Sequence, residues 1–135
     1  MALSEWESFR PVYETLRSLS SSMLAQVSGA AESPAGVADL RLLFQQLQTQ
    51  FQQQVLTLDT SRLEGALPPG IASQIAPQLP SLHTEMAKQL RLLNMDLMFL
   101  QTARQPETAR QRTEQMGDRL RLLMRYCDAV LGEEA

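Results

Sequence analysis

Residues 86–110 read MAKQLRLLNMDLMFLQTARQPETAR, and residues 111–130 continue QRTEQMGDRLRLLMRYCDAV. Apolar residues recur at alternating four- and three-residue steps in both halves. The first stripe is Met86, Leu90, Leu93, Leu97 and Leu100; the second is Ala109, Thr113, Met116, Leu120, Leu123, Cys127 and Val130. That rhythm keeps one side of a helix against a neighbour along its whole length. Gln105-Pro106-Glu107-Thr108 separates the stripes. A residue before proline is driven out of the helical region, whereas proline itself suits a first helical position. The stretch therefore predicts an antiparallel pair of helices over about 81–104 and about 106–131, with Gly132 as terminator and an acidic Glu133-Glu134 tail. A helical hairpin buries side chains and displays surfaces, but it brings no reactive groups of its own.

Working outward, a first helix is expected over about 4–28, with Ser4 and Glu7 spaced as a capping box. Trp6, Phe9, Tyr13, Leu16, Met23 and Val27 share one face, and Gly29 is the expected stop. Pro11 lacks the amide hydrogen that a helix interior uses, so either the first turn is kinked or the regular helix begins near Ser8. Ser33-Pro34 signals a second start, and Val37, Leu40, Phe44, Leu47, Phe51, Val55 and Leu58 point one way over about 34–58. The glutamines from Gln45 through Gln54 keep helical company and are themselves good helix formers.

Between residues 59 and 80 the texture changes, with Gly65, Pro68, Pro69, Gly70, Pro77 and Pro80 excluding a long helix. Yet Leu63, Leu67, Ile71, Ile75 and Leu79 recur every fourth residue, which a freely waving linker does not need. A short helical turn around Ile71 to Ile75 is expected, with the connection lying against the helices. The fold class is thus all-α: one four-helix bundle-like domain over 1–135, with a long Pro/Gly-containing connection between helices 2 and 3.

Composition supports that class, since 44% hydrophobic, 20% charged and 5% aromatic residues describe an aliphatic, helix-rich chain. The start, Met-Ala-Leu-Ser-Glu-Trp-Glu, has neither a basic region nor an apolar stretch, so no secretory signal is expected. No apolar run approaches the ~20 residues a membrane span needs. A cytoplasmic protein with no membrane contact is the expectation.

Catalytic candidates are sparse. His83, the single histidine, has no designated substrate site or orienting partner, and reads as an ordinary polar residue at a helix start. Cys127 falls on an inward stripe, where a thiol behaves as a small apolar group. One cysteine cannot make a disulfide, no glycine-rich phosphate loop is present, and the carboxylates are not gathered at metal-ligand spacing. No enzyme, cofactor or metal site is expected.

Charge is distributed unevenly. Lys88 to Arg125 holds eight basic and four acidic residues, a net of +4; the rest holds four basic and eleven acidic, a net of −7. Arg110, Glu114, Asp118, Arg121 and Arg125 follow an outer stripe suited to ion pairs. Arg112 and Arg119 lie beside the core stripe with no acidic neighbour within their helix, and Arg91 is similar on the preceding one. These three arginines are the candidate contacts to an acidic partner. Asp96 is expected to pair with a nearby arginine. Nucleic acid is disfavoured as partner by the net charge of −3 and the lack of aromatics among the basic residues. Leu92, Met95 and Phe99 form a second apolar face on the third helix. It is either covered within the bundle or available to a homodimer seam or a client helix.

Several consecutive strings in the final fifty residues resemble the PatD family of small cyanobacterial proteins that control heterocyst frequency. They are Glu85 to Leu93 (EMAKQLRLL), Asp96 to Gln101 (DLMFLQ), Ala103-Arg104-Gln105-Pro106 and Tyr126-Cys127-Asp128-Ala129. The resemblance implies a non-enzymatic cytoplasmic regulator that associates with the tubulin-like division protein FtsZ and influences its assembly. An adaptor or chaperone-like bundle accepting a client helix is the alternative from the residues themselves.

Overall fold

A computed structural model describes residues 2–30 and 34–132, with side chains described for 5–30 and 35–132. Among the described residues the fold is all-α. Six α-helices carry it: α1 (Ala2–Ala30), α2 (Pro34–Gln50), α3 (Thr60–Ala66), α4 (Pro69–Ile75), α5 (Leu79–Thr102) and α6 (Pro106–Leu131). The Ser33 cap and the acidic tail lie outside the described residues, as does the side chain of Ser4.

The hairpin is as the sequence dictates. Every residue of both stripes is buried, none more than 7% exposed. Burying a leucine, methionine or valine completely contributes ~1.5–3 kcal/mol, and nine of the twelve stripe residues are of these types. Helix α5 ends two residues earlier than expected because Ala103 and Gln105 are both extended, with ψ of 128° and 134° ahead of Pro106. Gly132 stops α6 in the left-handed conformation at φ 73°.

Three corrections concern the first half. Helix α1 runs unbroken through Pro11 from Ala2, so neither a start near Ser8 nor a stop at Gly29 is found. Pro11 and Glu7 are both exposed, so the carbonyl left without its amide partner faces water. Gly29 stays helical because only Gly132 takes positive φ among the described residues. The regular second helix ends at Gln50 and not at 58. A π-helical turn follows over Phe51–Val55, closed by the Leu56 amide donating to the Phe51 carbonyl at 3.0 Å. The wider turn lets Phe51 and Val55 both be buried while Gln52, Gln53 and Gln54 stay in solvent.

The connection is more helical than expected. The Asp59 carboxylate accepts from the amides of Ser61 and Arg62, starting α3. Leu67 is extended before Pro68, ending it, and Pro69 opens α4. The turn expected over Ile71 to Ile75 is therefore present, and α4 rests on the end of α6 through Ile71, Ala129 and Gly132. Pro77 lies in a 3-10 turn over Ala76–Gln78 that leads directly into α5.

Helix α1 packs most extensively on α6, α6 on α5, and α2 on α1; α2 meets α5 along a shorter seam. The Gln50 side chain donating to the Val12 carbonyl fixes α2 antiparallel to α1. Arg17 on Asp128 at one end, with Val27 beside Gly117 at the other, makes α1 and α6 antiparallel too. Hence α5 runs with α1, and α2 and α5 run in opposite directions. Buried side chains from α1, α2, α3, α5 and α6 join one apolar cluster.

Candidate functional site

Position 96 falls a quarter-turn off the α5 core stripe, at the edge facing α6. Its side chain is only 3% exposed. The Asp96 carboxylate accepts from Arg112 Nη1 at 3.3 Å through Oδ1, and from Arg119 Nε at 3.1 Å through Oδ2. The acidic neighbour that Arg112 and Arg119 lack within α6 is thus supplied by the adjacent helix. Both arginines are half-buried, with side chains 31% and 26% exposed, and are not the free surface cations of the sequence reading. Arg112 is held further by Gln115 Oε1 at 3.2 Å and lies over the Phe99 ring, 4.4 Å from its centroid. Two cations on one carboxylate leave a local excess of positive charge at this edge. A buried carboxylate is tolerated here because both of its oxygens are paired with a cation.

Arg91 is exposed on the outer side of α5. Leu92 is half-buried, while Met95 and Phe99 are about half exposed, at 49% and 47%. Met98, not singled out by the sequence, is more exposed still at 57%. The second apolar face of α5 is therefore an outer surface of this chain. Its signal was present in the sequence, since Met98 follows Met95 by three residues and borders the same face. The outer stripe of α6 pairs over most of its length, with Arg110 on Glu107 and Glu114 and Arg121 on Asp118, but no ion pair is formed by Arg125 among the described residues.

His83 is not a surface residue at a helix start. It is 8% exposed, and its Nε2 lies 2.7 Å from the Tyr13 hydroxyl in a hydrogen bond whose direction follows the imidazole tautomer. The two rings are stacked at 6.1 Å. Burial lowers the His83 pKa below its ordinary value and raises that of Tyr13, the latter also through nearby Cys127. Burial likewise pushes the Cys127 thiol up to about 12, with Asp128 adding to the effect and Arg17 opposing it. A neutral imidazole against a protonated phenol and a protonated thiol is a packed polar contact; it offers no activated nucleophile. Among the described residues no group of three His, Cys, Asp or Glu side chains is gathered as for a metal ion. No described helix is long and apolar enough to cross a membrane.

No known protein family, curated protein or solved structure matches this chain.

Proposed function

We propose that this chain is a non-enzymatic, cytoplasmic protein-binding regulator that associates with FtsZ and modulates its assembly, as its resemblance to PatD implies. The strings that carry the resemblance lie on α5, the short turn and α6. The observation that supports the reading best is the cationic edge where α5 meets α6, Arg112 and Arg119 braced by the shared Asp96 carboxylate, with Arg91 a separate exposed cation on another side of α5. A braced guanidinium loses little side-chain entropy when it meets a carboxylate on a partner.

Sedimentation of FtsZ polymers with and without the protein tests the reading. A changed pellet that reverts with rising salt is expected, and Arg91→Glu weakens the effect without touching the core. Unchanged pelleting together with no pull-down at low salt would rule FtsZ out. Reversing Arg112 and Arg119 is a poorer probe, because it strands the buried Asp96 carboxylate and unsettles the hairpin.

A second reading, an adaptor that accepts a client helix, is favoured by one feature, the outward face of Met95, Met98 and Phe99. A homodimer formed through that face would cover it, and light scattering reports the size directly.

A further inference from the structure

The shorter seam between α2 and α5 leaves a notch of about 160 Å³. Phe44 and Leu97 form its floor and Met98 its rim. An apolar cavity of roughly 150 Å³ is enough to hold benzene, so this notch has room for one apolar side chain. Its walls carry four side-chain amides, Gln45 and Gln48 on α2, Asn94 and Gln101 on α5. Because the helices run in opposite directions, Arg41 stands at the Gln101 end of the notch. Arg91 precedes Asn94 by one turn and stands at the Gln48 end. The floor is apolar, the walls can both donate and accept hydrogen bonds, Arg41 lines one end, and Arg91 lies one turn beyond the other without lining it. From Arg91 to Gln101 the row spans ~15 Å at 1.5 Å per residue.

We infer that this notch binds a short acidic peptide segment of a partner protein, one apolar residue entering between Met98 and Phe44 while flanking carboxylates meet Arg41 and Arg91. Amide side chains suit a peptide because its backbone has donors and acceptors to pair with them. A second copy of this chain fits poorly. A second copy docking through the same α5 face brings Arg91 again and no exposed carboxylate, since the one acidic residue between positions 91 and 102, Asp96, is buried. An anionic bilayer fits poorly as well, since the chain as a whole is at −3 and a flat headgroup layer does not enter an amide-lined notch. The inference rests on the protein-binding reading above, though not on the partner being FtsZ.

The probe is a fluorescein-labelled synthetic peptide of pattern Asp-Glu-Leu-Leu-Glu-Asp, titrated into the full chain beside a counterpart with lysine at each acidic position. Saturable, salt-weakened binding of the acidic peptide alone is expected. Met98→Glu, and separately Arg41→Glu with Arg91→Glu, weaken it by about tenfold or more. All three side chains are exposed, so thermal melting is expected to stay near that of the parent chain. Absence of binding, equal binding of the basic peptide, or equal binding by the variants overturns the inference. So does co-flotation with phosphatidylserine vesicles in place of peptide binding. Sedimentation with FtsZ separates the two readings. Peptide binding without any change in FtsZ pelleting supports the notch and removes FtsZ as its partner. Altered pelleting without peptide binding overturns the notch alone.

Discussion

Asp96 ties α5 to α6 by charge, where the rest of the seam is held by apolar contact. Removing its charge as Asp96→Asn leaves Arg112 and Arg119 without their common counterion, and the new amide meets two donors with one oxygen. Both arginines retain solvent contact and rehydrate in part, so the cost falls below that of a fully enclosed pair, at ~1–3 kcal/mol. The urea midpoint should drop at constant slope, and an unchanged midpoint would mean the carboxylate adds no net stability. His83 makes a second prediction at this scale. Its native pKa is lowered from 6.5 by burial, so the unfolded chain takes up a proton at a higher pH than the native protein does. Stability from this group is therefore complete above 6.5 and declines as pH falls toward the lower native value. Melting temperatures between about pH 7.5 and about pH 5.5 should fall for the parent chain, and His83→Gln should flatten that slope. A slope unaltered by the substitution would assign the titration elsewhere. Neither the Asp96 cluster nor the Tyr13–His83 contact was fully legible in the sequence. Their partners are 16 and 23 residues apart in one case and 70 in the other, and helical spacing reports only neighbours within one rod.

Two glycines with opposite roles show what an element demands. Gly132 ends α6 at φ 73°, and a Cβ there would lie 2.6 Å from Ile71 Cδ1 and 2.9 Å from its Cγ1. Both backbone and neighbour object, so Gly132→Ala should cost ~1–2 kcal/mol. Gly117 sits inside α6, where the atoms nearest an added Cβ belong to the guanidinium of Arg121, at 3.2 Å from Nη1. That side chain is exposed and can swing aside, giving up a surface pair with Asp118 that contributes little. Gly117→Ala should therefore stabilise by up to ~1 kcal/mol through reduced backbone freedom in the unfolded chain. Chemical denaturation of the two variants should move the midpoint in opposite directions. If both destabilise, the gap beside Gly117 between α1 and α6 is tighter than it stands here. The Gly132 stop was readable because glycine followed the last periodic residue. The Gly29 stop was not, because a glycine can remain helical, and here α1 continues one residue further. Helix α3 was missed for a similar reason: Asp59 is a good cap, but Gly65, Pro68 and Pro69 downstream masked a helix of two turns.

Across the whole molecule the periodic stripes specified the long helices and their buried faces, since burial is what that periodicity encodes. They could not specify which helices close the bundle tightly. The α1–α6 and α5–α6 seams are extensive and the α2–α5 seam is short, a difference set by the tertiary arrangement and by the segment that must cross from α2 to α5. That crossing segment carries the lowest density of buried contacts. Helix α4 has no buried residue, and α3 contributes Leu63 and Ala66 alone. By contrast α5 and α6 bury residues at nearly every turn. Local opening requires only that a segment give up its own contacts, so its free energy should follow that ranking. Amide hydrogens late in α4, from Ser73 to Ile75, should exchange first, through fluctuations insensitive to low urea. Those of α3 should follow, and those around Leu93 and Leu120 should exchange only with global unfolding. Ile71, Ala72 and Ile75, packed partly buried against the core, could raise α4 in this order, with Ile71 also meeting Gly132 at the end of α6. Protection of the Ile75 amide equal to that of Leu93 would show that α4 unfolds with the core, its partly buried side chains sufficing to anchor it.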